Sequence, residues 1–268
     1  MATAAQRKTL EQASAGLAIN KTFLPYALDK GIGPRARIGL VVLATDHAVE
    51  QEFRDILRLD GVAHFASRMY NSSTITAETL RDLAKDVTRT AALILPGDRL
   101  DVMAFACTSG AMVMGLDKVE AMIREARPGI PVTTPMGAAV AGMQAMGLKR
   151  VALLTPYVQE LNDMMRATVE AAGIAVPAVG SFNNADDLVV ANISPATIRD
   201  AAIDLVREGG VDGVFVSCTG MRAAGVIEAI EAATGKPALA SNHAMAWHAL
   251  RLAGIKDAVP GFGRLLRT

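Results

Sequence analysis

The sequence predicts an α/β fold of two pseudo-symmetric, doubly wound halves with parallel sheets and an active site in the cleft between them. Three observations carry this expectation. Apolar runs of strand length alternate with amphipathic stretches from Arg37 onward, the pattern of parallel sheets joined by right-handed crossovers. The chain's two cysteines stand in nearly the same words, Phe105-Ala106-Cys107-Thr108-Ser109-Gly110 and Val216-Ser217-Cys218-Thr219-Gly220. Their spacing of 111 residues (218 − 107) also carries Asp101 onto Asp212, a period too long for a solenoid and suited to two facing α/β halves.

Residues 1–36 lack the strand pattern and end in the turn-rich Asp29-Lys-Gly-Ile-Gly-Pro-Arg; they read as an N-terminal arm packed on the body or on a neighbouring subunit. The first half, 37–147, carries apolar strands near 37–45, 61–67, 101–106 and 130–134. The second, 148–268, carries them near 150–155, 174–180, 211–217 and 237–240, with the chain crossing back near its end. Between strands lie amphipathic helices, such as Val113–Ala126 with Glu120, Arg124 and Glu125 on a polar face. At the 111-residue offset the run Gly39–Asp46 lies over Arg150–Tyr157, which sets Asp46 opposite Tyr157. Beyond the cysteines the register slips to 106 (237 − 131) at Pro131 and Pro237, so the second half is shorter there.

With 268 residues, 51% of them hydrophobic, the chain can bury one large core or two fused ones. Lysine plus arginine equals aspartate plus glutamate at 27 each, so no net field recruits nucleic acid or an anionic membrane surface. The opening residues hold no apolar targeting segment and no later run approaches a membrane span. The expected compartment is the cytoplasm, where two cysteines stay reduced.

A thiol at a strand's carboxyl end, followed by Thr-Ser-Gly or Thr-Gly and a helix, has a specific use. First-turn N–H groups would lower its pKa and bind a carboxylate, and Thr108, Ser109 and Thr219 would add hydroxyl donors. The bland alternative is a pair of small buried core residues, which the matched repeat positions weigh against. Tyr157, at the end of the second half's first strand, either donates its phenol to a substrate oxygen or packs. Asn162, five residues on, is a ligand group or a residue of a solvated face. Asp46 and His47 end the first strand; either could polarise Cys107, and Asp46 could equally cap a helix. His243 and His248, five apart, do not share a helix face as metal ligands would, and no phosphate loop, zinc spacing or G-x-S-x-G elbow occurs. Neither a metal nor a nucleotide cofactor is expected.

The words Thr155-Pro156-Tyr157 with Asn162, and Ser217-Cys218-Thr219-Gly220-Met221-Arg222, resemble the aspartate/glutamate racemase superfamily. Within it the chain is similar to the branch of maleate cis-trans isomerases, arylmalonate decarboxylases and ectoine-utilisation proteins, from about Arg37 to the end. The resemblance implies a cofactor-free site between the halves, with Cys107 and Cys218 as the two active cysteines. It implies Tyr157 and Asn162 at substrate-binding positions, and Thr108, Ser109 and Gly220 in the carboxylate pocket. Decarboxylases of this branch keep only the second cysteine, so the pair favours isomerisation or racemisation. Maleate isomerases carry asparagine where this chain has Asp46, which an ionised aspartate makes hostile to a second carboxylate; substrates bringing an amine fit it better. Glutamate racemases place histidine where this chain has Gly220.

The expected function is therefore a cofactor-independent two-cysteine isomerase or racemase of a small carboxylate. The alternatives are an arylmalonate-type decarboxylase and a two-lobed carboxylate-binding protein. A homo-oligomer is left open.

Overall fold

Eight apolar runs form eight strands, and these sort into two parallel sheets of the same order. The computed structural model of the chain describes residues 19, 21 and 24–268. One sheet holds β1 (Ala36–Leu43), β2 (Val62–Met69), β3 (Val102–Ala106) and β4 (Val132–Thr133), in the order β2-β1-β3-β4. The other holds β5 (Arg150–Thr155), β6 (Ala175–Ser181), β7 (Gly213–Val216) and β8 (Ala238–Ala240), in the order β6-β5-β7-β8. Every pairing within them is parallel. Central strands β3 and β7 are buried along their whole length, because helices cover both faces of a parallel sheet and strands so covered read as unbroken apolar runs. The outer β6 alternates instead and carries Pro177 at a register irregularity, where a missing N–H costs the ladder nothing.

In each sheet the chain reverses its winding direction between the two central strands, so the crevice outside their carboxyl ends is the place where an open α/β sheet binds ligands. The paired aspartates prepare those strands. Asp101 accepts the Arg37 N–H at 2.8 Å and Asp212 accepts the Arg150 N–H at 2.9 Å, pinning the start of β1 beside β3 and of β5 beside β7. This pins the true register of the repeat. Val41 pairs with Phe105, and Leu154 pairs with Val216, so β1 maps onto β5 at 113 residues (154 − 41) while β3 maps onto β7 at 111. Ala44, and not Asp46, is therefore the counterpart of Tyr157; the crossover between the paired strands is two residues shorter in the second half.

The helix expected over Val113–Ala126 is two helices, Thr108–Met114 and Leu116–Ala126. Gly115 between them has φ +95°, a conformation that side-chain-bearing residues rarely adopt, so helical spacing runs on through a break that only glycine tolerates. The helix Ser241–Leu252 crosses back to the first half: Ser241 shares a hydrogen bond with Thr108 at 3.0 Å and His248 Nδ1 meets Thr133 Oγ1 at 2.9 Å. Residues 32–268 form one compact unit. The expected arm, 1–36, lies for the most part outside the described residues. No helix among the described residues is long and apolar enough to cross a membrane.

Candidate active site

Cys107 follows β3 directly and occupies the N-cap of Thr108–Met114, with its Sγ accepting the Gly110 N–H at 3.2 Å and lying 3.9 Å from Ser109 Oγ. A Cβ at Gly110 would come within 2.8 Å of both that sulfur and Leu83, so the glycine of Cys-Thr-Ser-Gly is what lets the turn close over the thiol. Cys218 follows β7, but no helix starts there. Its turn runs through Thr219 and Gly220 to a short 3-10 segment, Ala224–Val226, and is held from outside. Asn242 Nδ2 donates to the Thr219 carbonyl at 2.8 Å and to Glu52 at 2.7 Å, and Glu52 also accepts the Ala224 N–H at 2.8 Å. Glu52 belongs to the helix Val49–Ile56 of the first half, so that half braces the second half's thiol.

Tyr157 is buried and lines the same pocket as Cys218. Its backbone is fixed by Asn162, whose Nδ2 donates to the Tyr157 carbonyl at 2.9 Å while its Oδ1 accepts from Thr155; Ser181 donates to the same carbonyl. Asn162 lies neither on a solvated face nor on the pocket wall. Thr108 is likewise buried behind the wall on Ser241. The remaining expected residues, Asp46, Cys107, Ser109, Tyr157, Cys218, Thr219 and Gly220, come together around one pocket.

Sequence reading missed the rest of that wall, notably Thr45, Asn71 and Asp187. Asp187 Oδ2 accepts from Thr45 Oγ1 at 2.9 Å and from Asn71 Nδ2 at 3.1 Å. Loops of the two halves meet beside it, with the Ile75 N–H on the Ala185 carbonyl at 2.8 Å and the Asp187 N–H on the Ser73 carbonyl at 2.9 Å. These residues carry no motif; only the meeting of two loops far apart in sequence makes them neighbours. Asp46 does two things at once. Its Oδ1 accepts the Ala48 and Val49 N–H groups at 2.7 and 2.8 Å, and its carboxyl borders the pocket. His47 is exposed and off the wall, and His243 is buried with Nε2 on the Phe262 carbonyl at 2.6 Å.

Two thiols on one pocket, each at the end of a central strand of a repeated α/β half, coincide with a known family. The family model for arylmalonate decarboxylases, Amdase, matches residues 38–266. The chain belongs to that family. A maleate isomerase of Nocardia farcinica is 32% identical over 244 residues, covering 86% of this chain and 95% of that protein. A structure of the Nocardia farcinica maleate cis-trans isomerase, a cysteine-to-serine mutant with a covalently bound succinylcysteine intermediate, superposes with a TM-score of 0.79 at 31% identity, over 87% of this chain and 98% of that one. A maleate isomerase of Pseudomonas putida S16, solved with maleate, also gives 0.79, at 27% identity over 87% and 97% of the two chains. The fold is that of the isomerase and decarboxylase branch.

Electrostatics in this Amdase-family pocket overturn one expectation. Both thiols are pushed up to about 12, not lowered, because burial outweighs the N–H groups of Gly110 and Gly220 and the Tyr157 hydroxyl. Burial also lifts Asp46 to about 6 and Asp187 above its ordinary value. Thiols raised this far are protonated at neutral pH. Iodoacetamide should therefore label them at pH 7 at least about tenfold more slowly than it labels glutathione, since the thiolate is the nucleophile, and the rate should keep climbing past pH 9. A plateau below pH 8 in the ligand-free protein would show an activated thiolate and refute this.

Proposed function

We propose that the chain is a cofactor-independent isomerase of a small carboxylate, working by two thiols on one pocket. The observation that carries the reading is the placement of Cys107 and Cys218 at equivalent strand ends on the same pocket wall, in a chain related over most of its length to maleate isomerases. The substrate carboxylate sits at the two Cys-Thr turns. There the first-turn N–H groups of Thr108 and Ser109 have no helical acceptor, and the Ser109 and Thr219 hydroxyls are at hand.

In the cis-trans version one cysteine first gives up its proton to water and, as thiolate, adds its electron pair to an alkene carbon, and the opposing thiol gives its proton to the neighbouring carbon. The double bond is now single and rotates. The second sulfur, now a thiolate, takes a proton back as the C–S bond breaks, which restores the double bond in the trans form and regenerates both groups. In the racemase version one thiolate removes the α-hydrogen and the opposing thiol protonates the carbanion on its other face. Tyr157, on the same wall as Cys218, supplies a hydroxyl whose effect is to lower the pKa of that sulfur. The succinylcysteine captured in the Nocardia relative supports the covalent version. The reading places the enzyme in the cytoplasm, where both thiols stay reduced.

Small mono- and dicarboxylates incubated with the protein in D₂O and followed by proton NMR test this. A trans product, or deuterium at the carbon beside the carboxylate, is expected. Release of CO₂ without either would convert the reading to decarboxylation, which the family also contains; no reaction and no binding would defeat it.

A further inference from the structure

The pocket that holds the two thiols is acidic. Asp46 and Asp187 both stand on its wall, and none of the described residues lining it is lysine, arginine or histidine. Arg68 lies off the wall and is engaged elsewhere, with Nε on Glu50 at 2.9 Å and Nη1 on the Asp46 carbonyl at 3.0 Å. A dicarboxylate entering this pocket would meet two carboxylates and no countercharge.

Asp187 is held with one oxygen engaged and the other open. One oxygen takes both protein donors, Thr45 Oγ1 and Asn71 Nδ2, and Asn71 Nδ2 also donates to Thr45 Oγ1 at 2.7 Å. The second oxygen has no hydrogen-bond donor among the described residues. The two braces come from just past the ends of β1 and β2, and Asp187 itself opens the helix Asp187–Asn192, so the carboxylate is fixed in position from both halves. Its negative charge acts on both Cys107 and Cys218 and opposes their ionisation.

We propose that Asp187 is the specificity-determining anchor for a positively charged amino group, so that this site takes a zwitterionic amino-carboxylate in preference to a dicarboxylate. The substrate's carboxylate goes to the Cys-Thr turns and its ammonium to the free oxygen of Asp187, oriented by Thr45 and Asn71. This rests on the two-thiol reading of the pocket and extends it. The ammonium also offsets the smaller part of the thiols' raised pKa that Asp187 contributes, burial supplying the larger part.

The test is calorimetric binding of four acids of equal carbon count: 2-aminobutyrate, 4-aminobutyrate, butyrate and succinate. In the wild-type protein at least one aminobutyrate should bind about tenfold or more tighter than butyrate, with succinate weaker still, the margin of a single well-placed interaction. Asp187→Asn should erase that margin while butyrate binds as well as in the wild type or better, a repelling charge being gone, which also reports that the variant's pocket is intact. The wild-type ranking needs no variant and stands by itself. Succinate or butyrate binding as tightly as both aminobutyrates, or an undiminished preference in Asp187→Asn, overturns the anchor while the two-thiol carboxylate site survives. Absence of binding by all four acids overturns both.

Discussion

Replacing Cys107 or Cys218 by alanine is expected to lower turnover by about three orders of magnitude or more in each case, the scale seen when one member of a cooperating catalytic pair is removed. The two changes should be nearly equal in effect. Each sulfur has its own half of the proton or carbon chemistry, and nothing else on the wall duplicates it: Ser109 is 3.9 Å from Cys107 but its hydroxyl ionises too reluctantly to stand in, and Tyr157 is raised well above its ordinary value by burial. The fold should hold, since each substitution removes a single buried sulfur, a loss of about 1 kcal/mol against a typical stability of about 5–15 kcal/mol. Removing Cys107 Sγ also leaves the Gly110 N–H without its acceptor. Steady-state kinetics with thermal unfolding on both variants decides the matter. A well-folded single variant with full activity would eliminate the two-thiol mechanism.

The strands and the thiol pair were legible in the sequence because burial on both faces forces β1, β3, β5 and β7 to be continuous apolar runs, and because a duplicated half repeats its strand-end words. What escaped it depends on contacts between segments distant in the chain. Cys107 and Cys218 share a motif, yet only Cys107 is followed at once by a helix; the Cys218 turn is shaped by Glu52 and Asn242, 166 and 24 residues away in sequence (218 − 52 and 242 − 218). The two-residue offset between β1 and β5 is fixed by ladder pairing, which an ungapped diagonal does not register. Asn162 has the position of a ligand group by resemblance, but its two hydrogen bonds are used inward, on Thr155 and Tyr157. The thiols' raised pKa follows from enclosure by both halves, an effect that the local Cys-Thr-Ser-Gly and Cys-Thr-Gly words do not contain. Asp187 sits in an Asn-Asn-Ala-Asp-Asp loop with no chemical signature, and gains one only where that loop meets Ser72 to Ile75.

Asp46→Asn is expected to shift the enzyme toward dicarboxylates, and to do so in a pH-dependent way that separates charge from shape. Asp46 is raised to about 6, so it is ionised at pH 8 and protonated at pH 5. An ionised Asp46 about 4 Å from a second substrate carboxylate would oppose it by roughly 4 kcal/mol at an effective dielectric near 20, before solvent relaxation; relaxation should leave on the order of a ten- to hundredfold penalty in kcat/KM. The ratio of kcat/KM for a dicarboxylate to that for the matching monocarboxylate cancels the titration of the thiols, which both substrates share. In the wild type that ratio should rise as pH falls through about 6, because protonation removes the repelling charge. In Asp46→Asn it should be higher than in the wild type at pH 8 and should change less between pH 5 and 8, the remaining change being that of Asp187. Asparagine keeps an oxygen to accept the Ala48 and Val49 N–H groups, so the helix start is preserved and the change is confined to charge. A wild-type ratio that is already high at pH 8, or one that does not move with pH in either form, would mean that Asp46 caps the helix without facing the substrate, and a plain dicarboxylate isomerase would then be the better account of this pocket.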